Sequence, residues 1–292
     1  MNIRFKKNCN ARLLLLSLFS IFFAASIPAQ EQIENALLWE IKHPEFDQPS
    51  YIFGTMHALP EDEFSMPEII SEKLGETEVM YQEVDLQEVD QQKLMNKIML
   101  PDGNSLQNYV SDQAYEEFKE KLLDIGIAEE QIEFLAQMQP MVSYGMVFNA
   151  IFENPVVFEQ ELISLSRDLG VPVKGLETIE YQLSIFESIP IEEQMEMFFE
   201  SDLESEINQI TELYLAQNIN RLYFLMMESR WGSQEDELLG KRNRKWVEKL
   251  LEITAEKPVF VAVGAAHLPG EYGVLNLLLE KDFEIKPVKF DF

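Results

Sequence analysis

The sequence predicts an α/β fold: a central, mostly parallel sheet flanked by helices, two halves meeting at one site, and a helical cap or insertion. Three observations predict it. Val259-Phe-Val-Ala-Val263 is a short apolar run, mostly β-branched, of the kind that forms a strand covered on both faces. It ends abruptly in Gly264-Ala-Ala-His267, and Tyr51-Ile-Phe-Gly54-Thr-Met-His57 repeats that grammar far upstream. Long stretches of helical spacing lie between the two. In open α/β sheets ligands sit beyond the carboxyl ends of the strands, which is where both histidines fall. The chain has 3 histidines, and two of them share this context. One such residue alone would read as an inert core histidine, whereas a matched pair at two strand ends favours a shared site.

Taken in order, Ala36 to Lys42 reads as a strand, His43 to Ser50 as a turn with two prolines, and Tyr51 to Phe53 as a second strand pairing with the first. His43, beside Pro44, is expected to be an exposed loop residue. Met66 to Leu74 has helical spacing and leads to a third strand, Glu78 to Asp85. If the first and third strands are parallel neighbours, Glu83 and Asp85 emerge on the rim that carries His57, on the face of Tyr81.

From Gln87 to Gly170 the pattern is helical. Ser111 or Asp112 caps a helix that Gly126 breaks, Pro140 opens another among methionines, and Phe158 to Leu169 forms one more. Gly170 to Thr178 is a short strand with Glu177 at its end, followed by a helical run from Ile179 to Ile189. The acidic tract Ile191 to Arg230 reads as two helices split near Gln217 to Asn220, its buried face marked by Met195, Phe198, Phe199, Leu203, Ile207, Ile210 and Tyr214. A helix from about Ser233 to Ile253 buries Trp246, Val247, Leu250 and Leu251. Counting back three and four residues from Trp246 and Val247 reaches Asn243, and Arg242 lies four before Trp246. A polar Asn and Arg therefore point inward, where each needs a partner. Phe283 to Phe290 closes the chain as a strand that Pro287 places at an edge.

The amino terminus is set aside. Arg4, Lys6, Lys7 and Arg12 precede an apolar stretch, Leu13 to Ala25, shorter than the roughly 20 residues of a spanning helix. Ser26-Ile-Pro-Ala29-Gln30 offers a cleavage site. Residues 1–29 are thus expected to be a signal peptide cut after Ala29, sending the chain to the periplasm or outside the cell with no stable membrane span. Residues 30–292 form one domain, with a helical middle over about 87–170 and 179–253. Cys9, the single cysteine, lies within the signal, which excludes disulfides, thiolate metal sites and cysteine nucleophiles from the mature chain. With 23 Lys and Arg against 52 Asp and Glu the net charge is −29, more negative once the signal is lost. Such a chain repels phosphate backbones, so no nucleic-acid partner is expected.

Leu38-Trp-Glu-Ile41, the Gly54 and Gly264 motifs, Glu83, Gly175-Leu-Glu177-Thr178, Arg242-Asn243 and His267-Leu-Pro-Gly270 occur in the order of the TraB/GumN family, to which the Tiki proteases belong. The chain resembles this family from about residue 36 to its end. The resemblance implies a fold similar to the erythromycin-esterase and ChaN-like group, and a metal-dependent peptidase. It makes His57 and His267 metal ligands and Glu83 and Glu177 ligand or general base. Arg242 and Asn243 become orienting or oxyanion-stabilising groups.

These residue types are coherent by themselves. Imidazole and carboxylate suit Mn, Co or Zn, and an open metal position lowers the pKa of a bound water. No Gly-x-Ser-x-Gly, His-Glu-x-x-His or Gly-rich phosphate loop is present. The expectation is a metal-dependent hydrolase acting on a peptide or protein substrate. The rival is a non-catalytic periplasmic protein that binds metal, haem or polysaccharide in envelope assembly. In a third reading the paired histidines are purely structural.

Overall fold

The computed structural model describes residues 33–292, apart from 62, 63, 88, 153, 201 and 202. The signal-peptide expectation lies outside the described residues. The described residues include eight strands: β1 Leu38–Lys42, β2 Ser50–Thr55, β3 Leu59–Pro60, β4 Val79–Val84, β5 Pro155–Val156, β6 Val173–Glu177, β7 Val259–Gly264 and β8 Glu284–Val288. The helices up to the middle of the chain are α1 Glu68–Gly75, α2 Gln91–Ile98, α3 Asp112–Asp124, α4 Glu129–Leu135, α5 Pro140–Ala150 and α6 Phe158–Leu169. Those that follow are α7 Ile179–Glu187, α8 Ile191–Glu200, α9 Leu203–Leu215, α10 Ile219–Glu228, α11 Lys241–Thr254 and α12 Val274–Leu279.

Six strands make one sheet in the order β6-β4-β7-β2-β1-β8. The run β6-β4-β7-β2 is parallel, while β1 is antiparallel to both β2 and β8. The fold is the mostly parallel α/β architecture that the buried runs predict. β7 lies at the middle because five of its six residues are apolar and buried on both faces. β8, with Pro287, is an edge strand. The third strand of the sequence reading, β4, is not a neighbour of β1: it pairs with β7, and β7 separates it from β2. Parallel pairing still brings the carboxyl ends of β2, β7, β4 and β6 to one rim.

The sheet's core runs from Trp39, Phe53 and Phe260 to Trp246 and Leu275. α2 to α5, with Met195 of α8, enclose a second core around Phe118, Leu122, Ile132 and Val147. That is the helical cap, folded after β4. The acidic tract carries α8, α9 and α10; the break between α9 and α10 falls where the periodicity splits the tract, with Gln217 at a positive φ of 54°, and the junction of α8 and α9 lies outside the described residues. Of its expected buried face, Met195, Ile207 and Tyr214 are buried, and the side chains of Phe198, Phe199 and Leu203 lie outside the described residues. The helix expected from about Ser233 is present but not α throughout: after a 3₁₀ turn (Arg230–Gln234) it runs as a π turn over Asp236–Gly240 and passes directly into α11 at Lys241.

His43 is not a free loop residue. Its ring packs against Phe46 at 4.4 Å and Phe283 at 5.2 Å, and its Nδ1 accepts from the Glu45 N–H.

A second, two-stranded sheet is small but decisive for the site. β3, just after His57, pairs with β5, just before α6, through Leu59 opposite Val156 and Pro60 opposite Pro155. It ties the segment after His57 to the first turn of α6.

Candidate functional site

The two Gly-x-x-His motifs leave neighbouring parallel strands, with Thr55 opposite Gly264. Gly54 permits a close approach: a Cβ there would lie 2.7 Å from Leu268 Cδ1 and 3.1 Å from Ala265 Cα, so a side chain would need the Leu268 side chain to move and the Ala265 backbone to give slightly. Their histidines have opposite fates. His267 is buried, while the side chain of His57 is 78% exposed. They share no hydrogen bond: His57 lies beside Glu159, and the nitrogens of His267 are taken by Asn243 and Arg242.

His267 is held in one tautomer. Asn243 donates its amide N–H groups to the carbonyls of Tyr272 (2.8 Å) and His267 (3.4 Å), which turns its Oδ1 toward the imidazole. Oδ1 lies 2.6 Å from Nδ1 and accepts its proton. The lone pair is therefore on Nε2, where Arg242 Nη1 donates at 3.1 Å. Burial first, then the Arg242 charge, hold the imidazole neutral, with its pKa pulled down to about 3. The ring lies 4.6 Å from that of Trp246.

Arg242 is the centre of the cluster. Nε donates to Glu177 Oε1 at 3.0 Å, and Nη2 donates to Glu177 Oε1 at 2.7 Å and Glu83 Oε2 at 2.5 Å. Besides His267, Nη1 reaches the Leu238 carbonyl at 3.2 Å. That carbonyl belongs to the π turn. The guanidinium lies over the Trp246 ring at 4.7 Å. All five N–H groups are engaged.

The carboxylates are equally occupied. Glu83 Oε1 accepts the Gly264 N–H at 2.8 Å, and Oε2 also accepts from Gln182 at 3.1 Å. Glu177 Oε2 accepts the Trp246 indole N–H at 3.0 Å. Burial would push the Glu83 carboxyl up, but Arg242, His267 and the Gly264 N–H outweigh it and hold it at about 2. For Glu177 burial wins, aided by the Glu83 charge against the pull of Arg242, and its pKa is raised. A buried pair such as this is costly to break rather than strongly stabilising.

The solvent side holds a residue that the sequence reading did not single out. Glu159, in the first turn of α6, places Oε1 3.9 Å from His57 Nδ1. Its carboxyl is raised by burial, with His57 opposing and Glu83 reinforcing. Tyr214 flanks it, donating to the Gly54 carbonyl at 2.9 Å, and Gln82 donates to the Glu159 carbonyl at 3.0 Å. The signal for Glu159 was absent because strands of two residues carry no periodicity, and only the β3–β5 pairing puts it beside His57. Asp85 turns away, accepting from the Gln87 N–H.

The residues expected to ligate a metal thus fall into two groups. His267, Glu83 and Glu177 form the buried cluster with Arg242 and Asn243, and His57 stands outside with Glu159. No group of three or more His, Asp, Glu or Cys arranged to hold a metal occurs among the described residues. The donors are of the right type, but the Nε2 lone pair of His267 and both carboxylates are already taken by a guanidinium. As arranged, they do not fit a divalent ion.

The family model described as the TraB/PrgY/gumN family matches residues 37–287. No curated protein and no solved structure matches the chain.

Proposed function

The chain belongs to the TraB/PrgY/gumN family, and we propose that it is an exported hydrolase, cleaving peptide bonds at the rim where exposed His57 stands beside the partly buried Glu159. One observation carries this: the β3–β5 pairing sets an exposed imidazole beside a half-buried carboxyl, outside the hydrogen-bonded cluster of Arg242. Two titratable groups in such different surroundings suit division into base and acid.

In this reaction His57 takes a proton from water as its oxygen attacks the carbonyl carbon. Glu159, whose raised pKa favours the protonated form, delivers a proton to the amine nitrogen as the C–N bond breaks. Proton exchange between His57 and Glu159 then restores both. The buried cluster positions the strand ends and contributes no free donor, because Arg242 is fully engaged. The metal-dependent form of the reaction would use Mn, Co or Zn as a Lewis acid; the occupied donors give no reason to route a step through it.

The test is hydrolysis of a fluorogenic peptide library by the purified chain, by His57→Ala and by Glu159→Gln, with and without a chelator. Turnover should fall by roughly 10²–10⁴ in His57→Ala and be indifferent to the chelator. Turnover untouched by both substitutions, or none at all, would overturn the proposal. The second outcome would favour the non-catalytic binding protein, a reading supported by the complete pairing of the buried cluster.

A further inference from the structure

We infer that the guanidinium of Arg242 is the site's permanent cation, holding the position between His267, Glu83 and Glu177 that a divalent ion would need. The inference goes beyond the hydrolase proposal and does not depend on it. Three features of the geometry carry it.

The first is the direction of the His267 lone pair. Asn243 fixes the proton on Nδ1, leaving Nε2 as a ligating nitrogen with its partner already chosen: Arg242 Nη1 at 3.1 Å, with Glu83 Oε1 at 3.8 Å. A metal-ligating imidazole is usually held through its far nitrogen by a carboxylate, a backbone carbonyl or water; here an amide oxygen takes that place and presents the ring to an arginine.

The second is saturation. Each N–H of Arg242 has an acceptor. Beyond the guanidinium, the two carboxylates are completed by the Gly264 N–H, the Gln182 amide and the Trp246 indole. The third is anchoring from behind. The Leu238 carbonyl of the π turn and the face of Trp246 hold the guanidinium in place, so it cannot withdraw without losing contacts on both sides.

Arginine stays charged at any pH at which the fold survives. A metal-ligating site would need its carboxylates vacated, whereas this one is closed by its own side chain.

The experiment titrates the purified chain with Mn²⁺, Co²⁺ and Zn²⁺ separately, by calorimetry and by elemental analysis after gel filtration. It compares the wild type, His57→Ala, His267→Ala, Arg242→Ala, and the His267→Ala/Arg242→Ala pair. The wild type should retain no metal that depends on His267. Arg242→Ala should bind at least roughly tenfold tighter, and the double variant should lose that gain. Metal lost in His57→Ala but kept in His267→Ala would place any ion on the outer pair and agree with a closed inner cluster. Near-stoichiometric metal in the wild type that disappears in His267→Ala would overturn the inference, as would a folded Arg242→Ala with no gain. If Arg242→Ala does not fold, the wild type and the His variants decide alone. Peptide hydrolysis is not read in any arm, so the two proposals fail separately.

Discussion

Replacing Arg242 by Met keeps most of the side chain's stem and removes its charge. Two carboxylates and an imidazole would then face one another in a buried site, with no cation between them. Removing one partner of a buried ion pair costs about 3–5 kcal/mol, a large share of the roughly 5–15 kcal/mol that holds a domain folded. For a domain of this size that corresponds to a fall of roughly 10 °C in Tm.

The loss should depend on pH with a definite sign. In the wild type the Glu83 carboxyl sits at about 2, below its unfolded value, so its contribution is complete above the unfolded value of 4.5 and disappears as pH falls toward 2. In Arg242→Met the same carboxyl loses its main attraction and rises, so that form gains as pH falls. The gap between the two proteins should be widest near pH 7.5 and narrow on acidification. Urea unfolding at pH 7.5 and pH 4.5 measures it. A difference below about 1 kcal/mol at pH 7.5, or one that does not shrink at pH 4.5, would refute the account of the cluster.

Three further outcomes are expected. His267 should stay neutral in the folded protein until about pH 3, so its nitrogen NMR signals should show Nδ1 protonated through the range where a free imidazole titrates. Since its folded pKa lies below the unfolded 6.5, it binds protons only on unfolding between those values, and its contribution to stability is lost as pH falls from 6.5 to 3. Asn243→Leu should cost about 1–3 kcal/mol by leaving the Nδ1–H and the Tyr272 carbonyl unpaired, read from urea unfolding; an unchanged midpoint would contradict the role given to the amide. Gly54→Val should destabilise by about 1–3 kcal/mol through contact with Leu268 and the Ala265 backbone, seen as a lower urea midpoint with an unchanged slope.

The legible parts of the site were those whose signal is local. The β7 run and its Gly-x-x-His end follow from five consecutive apolar residues, and Asn243 and Arg242 were found by stepping back along a helical stripe to Trp246 and Val247. Glu83 and Glu177 stood out as acids closing apolar strands. The hidden parts depend on contacts across the chain. Which strands flank β4 was not legible, because parallel pairing over long separations leaves no periodic mark. Glu159 meets His57 only through two residues of β5. The π turn hides in a sequence that reads as ordinary helix from Ser233, and the packing of His43 on Phe283 joins opposite ends of the chain.

The buried cluster draws Glu83 from β4, Glu177 from β6, Arg242 from α11 and His267 from the turn after β7, four segments distant in sequence. No fragment carries a charge-balanced subset with all its hydrogen bonds. A partly assembled chain that closed its core early would trap an unpaired carboxylate or guanidinium, and misregistered strands would do the same. Such states are raised in energy relative to the native one by their unmatched charges. The cluster thereby acts as a checkpoint on assembly, making the last element to dock as necessary as the first.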